Sequence, residues 1–482
     1  MSRYSMDRMI AIAIAMSTEK NITALLDLIL KEAMDITACD GGTVYIREKD
    51  GLHFCNMVTL SKGFHRAMTG KEDILPPVPM DRKHVCACAA LDHKKINIQD
   101  IYLSDTYDFS GAERYDSMNG YRTKSMLVIP MEDEKNRIIG VLQLINAQDG
   151  AGNIVPFEKE DEGIISALSS LAAISLNNNR LARTVYDLLH SFVAVMVDAV
   201  DAKSPYNANH TRNMARYARK FADWLDSADA GWRIPEEEKD AFLMSVWLHD
   251  IGKLVIPLSV MDKATRLGGL EDRVFGKIEA ASLREEIRGL KHPEEAAEAA
   301  AMREKLQHAA GLVRKANTAG YLPDEMIEEL KELAGLPCLR GDGSRGPLLD
   351  EEEVEAITVQ RGTLTEEERR EMNRHVEYTA NLLSSMIFEG DYEKVPSWAA
   401  MHHELLNGSG YPDHLTAERI PKEVRLITIL DIYDALTAED RPYKPPMAPE
   451  KAFRILESMR DEGKLDGTIL KEFEDSGAWK RS

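Results

Sequence analysis

The spacing of apolar residues divides the chain into two parts of different kind. Before about residue 150, short apolar or alternating runs predict β-strands at residues 42–46, 125–130 and 138–146, with helical segments on either side. After about residue 185, apolar residues recur every three or four positions, as in Met214, Tyr217 and Phe221. We therefore expect a multidomain fold, in which an α+β domain precedes an all-α domain.

A nearly continuous helix is expected to join the two parts over residues 164–200, because no glycine or proline follows Gly163 there. Its apolar positions recur at three and four residues, close to a coiled-coil seam. The positions are Leu168, Leu171, Ile174, Leu181, Val185, Leu188 and Leu189. Such a helix would join two chains in parallel as a homodimer and carry a rotation or register change from one part to the other.

Composition narrows the class of protein. A chain of 482 residues has enough material for more than one core, and its net charge of −21 argues against a partner that is a nucleic-acid polymer. The apolar run at residues 9–16 is too short to span a membrane and is soon followed by Glu19 and Lys20. Five cysteines without a framework spacing favour a reduced, cytoplasmic protein.

Histidine and aspartate residues recur in pairs in the second part. His249 and Asp250 end an apolar, helix-like stretch, which Gly252 is expected to terminate, and Lys253 follows. His402 and His403 form a second pair. Imidazole and carboxylate together suit iron, manganese, zinc or nickel, and a carboxylate can bridge two ions. Since two ions can activate water and hold phosphate oxygens, the pattern favours hydrolysis of a phosphate ester.

Further residues extend this set. His210 opens one amphipathic stretch, His375 lies in another, and Asp431 and Asp434 share a helical face. One of these two acids could bind a metal while the other orients a partner. For each residue alone, a buried structural histidine or a helix-terminal charge is the more common explanation, but together they favour a metal site.

Residues from about 185 to 450 resemble an HD-GYP domain, a bacterial subclass of the HD metal phosphohydrolases. The matching residues are Lys203-Ser-Pro-Tyr206, His210, His249-Asp250-Ile-Gly-Lys253, His375, the run from His402 to Pro412, and the segment from Asp431 to Tyr443. The resemblance implies an all-helical domain, taken as residues 185–482, that opens cyclic di-GMP to linear pGpG and often on to GMP.

The resemblance also implies roles for individual residues. The implied metal ligands are His210, His249, Asp250, His375, His402, His403 and Asp431. Asp250 would bridge two transition-metal ions per chain, with iron or manganese as the first choice. His249, Asp250 and Lys253 would form the catalytic group, in which Lys253 contacts a phosphate and positions the attacking water. The implied substrate-binding residues are Lys253, Gly410, Tyr411, Pro412, Arg441 and Lys444, with Tyr411 against a guanine.

Three departures from the family pattern bear on these roles. Asn407 stands where aspartate is frequent, and asparagine can still make the local hydrogen bonds of the loop. The loop before Arg441 is one residue longer than usual, which leaves the register of Arg441 and Lys444 open. Some members bind a third ion through a glutamate before the first histidine. Tyr206 stands there instead, so we expect two ions. Asp201 is the remaining residue that could supply the missing carboxylate for a third ion.

An insertion separates Asp250 from His375 by far more residues than in a typical member. The extra residues, about 266–360, are rich in Glu, Lys, Ala and Leu, and Pro323 begins a helix at residues 322–333. We expect a charged helical hairpin or small bundle with a turn-rich stretch at residues 341–347. It could cover the active site, pack on the first domain or enlarge a dimer interface; a solvated surface module is the simplest expectation.

Residues 1–178, and most closely about 15–178, resemble a GAF sensor domain. The resemblance rests on residues 140–146, Phe157 and Asp161-Glu162, and it extends to the Asn-Lys-Phe-Asp-Glu pattern of cyclic-nucleotide GAF domains. Ala147 replaces the lysine that would pair with Asp161, so a small-molecule ligand is expected but its identity stays open. His84, Cys86, Cys88 and His93 could hold a metal or haem iron, although a helix with two buried cysteines is the more common arrangement.

The sequence therefore predicts a GAF-regulated, metal-dependent cyclic di-GMP phosphodiesterase. Two alternatives remain. One is a receptor that binds cyclic di-GMP without cleaving it, which the complete ligand set disfavours. The other is a hydrolase of another cyclic dinucleotide, such as 3'3'-cyclic GMP-AMP, because pocket contacts rather than metal ligands select the base.

Overall fold

The computed structural model describes residues 6–67, 75–203, 209–228, 230–340, 343–438 and 446–480. The chain divides into two compact units, Met1–Leu189 and His190–Ser482. Among the described helices, none combines the length and the apolar character that a bilayer span requires. The expected order of an α+β unit, a long helix and a helical unit is confirmed.

The first unit is built on one antiparallel sheet. Its strands are β1 Cys39–Glu48, β2 Gly51–Thr59, β3 Phe64–Ala67, β4 Ile96–Ile98, β5 Met126–Glu132, β6 Ile138–Gln148 and β7 Ile154–Val155. They pair in the order β3-β2-β1-β6-β5-β4, with β7 on β6. Its helices are α1 Met6–Thr18, α2 Ile22–Thr37, α3 Val85–Asp92 and α4 Ser110–Asn119, and α5 Lys159–Lys203 starts in it.

Alternation along the strands creates a core on each face of this sheet. Val44 and Leu142 enter a cluster with residues of α1, α2 and α5. Their chain neighbours Tyr45 and Val141 enter a second cluster with α3. Since successive side chains of a strand point to opposite faces, apolar residues at consecutive positions fill both cores.

The long helix α5 is confirmed, but its exposed apolar row differs from the expected seam. Leu168 is fully buried in the core of the first unit, and Leu171 packs partly against that core. The expectation that these two residues belong to a seam is therefore wrong, because the sheet and its flanking helices already cover them. The large apolar residues of α5 that remain exposed are Ile174, Leu181, Val185, Leu188, Phe192 and Val195.

The second unit is mainly helical. Before the insertion it contains α6 His210–Ser227, α7 Lys239–Leu248 and α8 Leu258–Met261. The insertion contains α9 Glu271–Lys291, α10 Ala296–Thr318, α11 Asp324–Ala334, β8 Pro337–Leu339, β9 Arg345–Pro347 and α12 Glu351–Ile357. The remaining helices are α13 Glu366–Asn373, α14 His375–Ser384, α15 Val395–Ala400, α16 Lys422–Thr437, α17 Pro449–Asp461 and α18 Gly467–Ser476.

Two local expectations in this unit are corrected. The stretch around His375 is two helices rather than one, and His375 is the first residue of α14. The turn-rich stretch of the insertion contributes to a two-stranded antiparallel hairpin, β8 with β9, so the unit is not entirely helical. Residues 341 and 342, between these strands, lie outside the described residues.

The insertion has a core of its own, closed at its base by one arginine. Residues of α9 to α12 form a separate apolar cluster. Arg266 has no exposed surface, and its guanidinium donates to the carbonyl oxygens of Ala316 and Val359 at 2.6 Å and to that of Ala319. Because these partners lie at the end of α10 and after α12, Arg266 joins the entry of the insertion to its exit.

Candidate metal centre

An apolar helix delivers the His-Asp pair into the interior. Phe242, Met244 and Leu248 of α7 are buried, and His249 and Asp250 follow at 0% and 3% exposure. The chain then forms a 3-10 turn, Ile251–Leu254. An aspartate this deeply buried needs partners that favour its ionised form.

Gly252 makes room for this turn. A Cβ atom on residue 252 would lie 1.9 Å from the carbonyl oxygen of His375 and 2.6 Å from the amide nitrogen of Thr379. The interpretation of Gly252 as a helix-ending residue is therefore incomplete: glycine is required because the turn lies against the backbone of α14.

Thr379 of α14, which the sequence reasoning missed, connects α14 to the segment that contains His249 and Gly252. Its hydroxyl donates to the carbonyl oxygen of His249 at 3.0 Å and accepts from the amide of Gly252, also at 3.0 Å. Its position one helical turn after His375 was the available signal, since both side chains then lie on one face of α14.

The two carboxylate oxygens of Asp250 face different histidines. Oδ2 lies 3.2 Å from Nε2 of His249 and 3.7 Å from Nε2 of His210. Oδ1 lies 3.5 Å from Nε2 of His375 and 3.8 Å from Nε2 of His402. This is the arrangement by which one carboxylate can bridge two ions.

Three of the histidines are held in one tautomer by the backbone. Nδ1 of His249, His375 and His402 lies 2.7 Å from the carbonyl oxygens of Val246, Met372 and Ala399, respectively. A carbonyl only accepts, so each Nδ1 carries the hydrogen and each Nε2 presents a lone pair to the interior. Burial lowers the pKa of His375 to about 4 and holds the pKa of His402 well below its usual range.

The converging lone pairs fit a cation. Nε2 of His375 lies 3.3 Å from Nε2 of His402, and neither nitrogen has a proton to place between them when both rings are neutral. Nε2 of His249 lies 3.3 Å from Nε2 of His210, which also faces Asp431. The donor set of imidazole nitrogens and carboxylate oxygens suits transition-metal ions.

His210 is held differently, between two carboxylates of α16. Its Nδ1 lies 2.8 Å from Oδ2 of Asp434, and its Nε2 lies 3.2 Å from Oδ1 of Asp431. Burial lowers the pKa of His210, but hydrogen bonds to Asp431 and Asp434 outweigh it and raise the pKa to about 10. Asp434 therefore orients the ring from behind while Asp431 faces the site.

Asp431 also approaches the second histidine pair. Its Oδ2 lies 3.6 Å from Nδ1 of His403. Burial would raise the pKa of Asp431, but His210 and His403 together hold it well below its usual range. The structure brings all seven residues expected as ligands into three overlapping groups: His210, His249 and Asp431; His249, Asp250 and His402; and His375, His402 and His403.

Lys253 is adjacent to Asp250 in the same candidate metal centre. Its Nζ is 2.5 Å from Oδ2 of Asp250, three residues earlier in the chain. Helix α7 ends at Leu248, so the 3-10 turn rather than a continued α-helix brings Lys253 to this position. Burial, the largest single effect, raises the pKa of Asp250. Coulombic attraction to Lys253 lowers it and contributes to a pKa that lies well below its usual range.

The Gly-Tyr-Pro loop packs directly against the second histidine pair. The ring of Tyr411 lies 4.8 Å from that of His403, and its amide donates to the carbonyl oxygen of His403 at 3.2 Å. A Cβ atom on Gly410 would lie 2.3 Å from the amide nitrogen of Leu405. The requirement for glycine at position 410 thus arises from packing on the chain itself. Pro412 follows through a cis peptide bond.

Two polar residues stabilise this loop. The buried carboxylate of Glu404, which the sequence reasoning missed, accepts from the amides of Asp413 at 2.7 Å and Leu415 at 2.8 Å. Asn407 accepts from the amide of Ser409 at 3.1 Å, so it makes the local hydrogen bonds expected of it. Glu404 adjoins the histidine pair and lies in the run from His402 to Pro412 that carries the family resemblance, and these were the available signals.

Some residues named from the sequence are outside the described part of the chain or outside the candidate metal groups found there. Arg441, Lys444 and Tyr206 are outside the described residues. Asp201 is buried, and burial raises its pKa to about 6. Neither of its oxygens has a hydrogen-bond partner in the described part of the chain, and Asp201 belongs to none of the candidate metal groups found there.

The cysteine-histidine cluster of the first unit does not converge. Cys86 and Cys88 are buried on α3, and burial raises the pKa of both thiols. His84 pairs with Asp81 at 3.0 Å and His93 with Glu132 at 3.2 Å. Within the described residues these four side chains form no candidate metal group.

The Asn-Phe-Asp residues of the GAF pattern have internal partners. The side-chain amide of Asn146 donates to the hydroxyl of Tyr121 and to the carbonyl oxygen of Arg122, both at 2.8 Å. Asp161 accepts from the amide of Glu158 at 3.0 Å. Asn146 therefore fixes the loop before β5.

Two family models match the chain. The model for the GAF domain matches residues 21–176, and the model for the HD domain matches residues 352–469. The chain contains a GAF domain and an HD domain. The HD match includes His375, His402, His403 and Asp431, and the fold brings the earlier His210, His249 and Asp250 to the same centre.

Several characterised proteins are similar to part of the chain. The cyclic di-GMP phosphodiesterase response regulator RpfG of Xanthomonas campestris is 33% identical over 161 residues, which are 33% of this chain and 38% of the relative. The 3'3'-cGAMP-specific phosphodiesterase 3 of Vibrio cholerae is 38% identical over 102 residues, 21% of each chain. A cyclic di-GMP phosphodiesterase of Thermotoga maritima is 38% identical over 112 residues, 23% of this chain and 28% of the relative. The chain thus matches less than half of the length of each relative.

Proposed function

We propose that this protein is a metal-dependent phosphodiesterase that hydrolyses cyclic di-GMP to pGpG, GMP or both. The observation that carries the proposal is the two-sided environment of Asp250, in which each carboxylate oxygen faces its own pair of imidazole nitrogens. The names of the relatives from Xanthomonas and Thermotoga support the same substrate.

Two transition-metal ions, iron or manganese, are proposed for this centre. Their ligands are His210, His249, Asp250, His375, His402, His403 and Asp431, with Asp250 shared. Bound there, such ions would supply Lewis acidity to a phosphate and lower the pKa of a water. The orientation of the ligands belongs to the protein, since Asp434 and three backbone carbonyls fix the imidazole rings.

The remaining residues bind and orient the substrate. Lys253 offers an ammonium group beside Asp250, where it can donate to a phosphate oxygen and to the attacking water. Tyr411 stacks beside His403 and presents an aromatic surface to a guanine. Arg441 and Lys444 remain proposals from the family resemblance.

Hydrolysis of 3'3'-cyclic GMP-AMP is the second candidate. The relative from Vibrio cholerae described above is named for that substrate and is 38% identical over its matched segment. Both substrates contain the same phosphodiester linkage, so the metal centre serves either, and contacts to the bases decide between them.

The GAF domain is proposed to regulate the enzyme in a cytoplasmic homodimer. A row on α5 with alternating spacings of four and three residues supports two parallel helices, and it contains Ile174, Asn178, Leu181, Val185 and Leu188. Asparagine at one core position of such a row favours a two-stranded, in-register pair. The five cysteines are free and buried, which suits a reducing compartment. The GAF ligand is proposed to be a small molecule.

The test is hydrolysis by protein purified without oxygen, with metal content measured on the same sample and with pGpG and GMP resolved. A panel of cyclic di-GMP, 3'3'-cyclic GMP-AMP and cyclic di-AMP separates the candidates. His249→Ala is expected to abolish turnover, while the matched control His308→Ala, at an exposed histidine of the insertion, leaves it unchanged. A fully metallated protein that cleaves none of the panel would refute the enzyme and favour a receptor.

A further inference from the structure

The last residue of α5 binds the backbone that carries Lys253. Nζ of Lys203 donates to the carbonyl oxygens of Lys253 at 3.1 Å, Leu254 at 2.6 Å and Ile256 at 2.6 Å. An ammonium group has three N–H donors and no acceptor. All three donors of Lys203 are thus used on one short segment.

These carbonyls need such a partner. Lys253 and Leu254 are the last residues of the 3-10 turn Ile251–Leu254, and Ile256 follows it. The last carbonyls of a helical turn accept no hydrogen bond from within the turn. The amides of the turn are already bonded, that of Lys253 to Asp250 at 2.9 Å and that of Val255 to Gly252 at 3.0 Å. Three carbonyl oxygens that converge on one point repel each other unless a cation lies between them.

The same segment determines the position of the candidate catalytic lysine. The side chain of Lys253 reaches Oδ2 of Asp250, while its carbonyl oxygen is held by Lys203. We propose that Lys203 is a positioning residue for Lys253, an inference that rests on the proposed function. Lys203 acts through the backbone, because its donors are occupied by carbonyls and not by the carboxylate of Asp250.

Its place in the chain gives this contact a regulatory use. Lys203 is the last residue of a helix that begins at Lys159, within the matched GAF domain. A rotation or axial shift of α5 would move Nζ relative to the three oxygens, and hydrogen bonds weaken steeply when their geometry is lost. Movement of α5 would therefore change the position of Lys253 through the hydrogen bonds that Lys203 makes.

The test compares Lys203→Met, which keeps the length of the side chain, with Lys203→Arg, which keeps the charge. The matched control is Lys220→Met, because Lys220 also donates to a backbone carbonyl in this unit, that of Lys480 at 3.3 Å. Amide hydrogen exchange of residues 251–256, metal content, kcat and KM are measured on the full chain.

For Lys203→Met we expect exchange in residues 251–256 to accelerate by about tenfold or more, the effect of losing hydrogen bonds to a charged group. We expect kcat to fall by a similar factor with metal content retained and KM little changed, because Lys253 is displaced and not removed. Lys203→Arg restores part of kcat, and Lys220→Met leaves exchange in 251–256 and kcat at their original values.

Two results would overturn the inference. One is unchanged exchange in residues 251–256. The other is a loss of metal or of folded protein with kcat per metallated centre unchanged, which identifies a structural role alone. If the unaltered protein cleaves no cyclic dinucleotide, the proposed function fails, while hydrogen exchange still decides whether Lys203 holds the segment.

Discussion

Gly252 lies against His375 so closely that an added Cβ atom would be 1.9 Å from the carbonyl oxygen of His375. This contact packs the turn that follows Asp250 against α14 and so places Asp250 beside His375, although the two residues are far apart in the sequence. The carboxylate of Asp250 then faces His249 with one oxygen and His375 with the other.

The contact predicts that Gly252→Ala disrupts the centre. The methyl group must push the turn away from α14, at a cost of about 1–3 kcal/mol in stability, and metal affinity falls because Asp250 no longer reaches both pairs of histidines. Metal titration and urea unfolding measure the two effects. Gly311→Ala is the control, since nothing lies within 4 Å of a Cβ there and alanine in α10 raises stability by about 0.5–1 kcal/mol. Metal binding by Gly252→Ala equal to that of the unaltered protein would show that the close approach is not needed.

Proton release on metal binding follows from the environment of His210. In the metal-free protein its pKa is raised to about 10, so at pH 8 the ring carries a proton that a metal must displace. His375, with a pKa lowered to about 4, is already neutral and releases none. Apparent affinity for Mn²⁺ should therefore increase as pH rises toward about 10, with about one proton released per chain from His210. Calorimetry at pH 8 in two buffers of different ionisation enthalpy gives the proton count, and a count of zero would contradict the assignment. Asp434→Asn, which removes a carboxylate that raises this pKa, should reduce the count.

Arg266 is predicted to hold the insertion closed. Arg266→Met removes a buried guanidinium that donates to at least three backbone carbonyls, and the loss of these hydrogen bonds costs about 1–3 kcal/mol. Local unfolding of residues 266–360 should appear in hydrogen exchange before the rest of the unit opens. Arg303→Met is the control, because Arg303 makes a half-exposed pair with Glu286 at 3.1 Å and such pairs contribute less than about 1 kcal/mol. Equal stability of the two variants would count against the closing role of Arg266.

The exposed row of α5 predicts a dimer. Light scattering should give twice the mass of the chain, and the double variant Leu181→Asp, Leu188→Asp should give a monomer, because charges in an apolar seam lose their hydration. Arg180→Asp, an exposed residue of α5 outside the row, is expected to leave the dimer intact. A monomeric unaltered protein at micromolar concentration would refute the coiled coil.

Local sequence patterns anticipated much of this molecule. Apolar spacing predicted α6, α7 and α16, because burial of one face of a helix leaves a period that can be read along the chain, and short apolar or alternating runs predicted β1, β5 and β6. The His and Asp residues that converge in the structure were named from their motifs and from a family resemblance. Their assignment as ligands remains a prediction.

Other features depended on neighbours that are distant in the sequence. Leu168 looked like part of a seam until the sheet covered it, and Gly252 looked like a helix end until α14 lay against it. Lys203 and Glu404 carry no periodic signal, since each acts through hydrogen bonds to a backbone that only folding brings near. Thr379 shows only its one-turn spacing from His375.

The sequence by itself determined the order of elements, the chemistry of the donor set and the two kinds of domain, because these follow from side-chain type and local spacing. Tertiary structure decided which oxygen of Asp250 faces which histidine and which lysine supports the turn, because those relationships depend on packing between segments that are distant in the sequence.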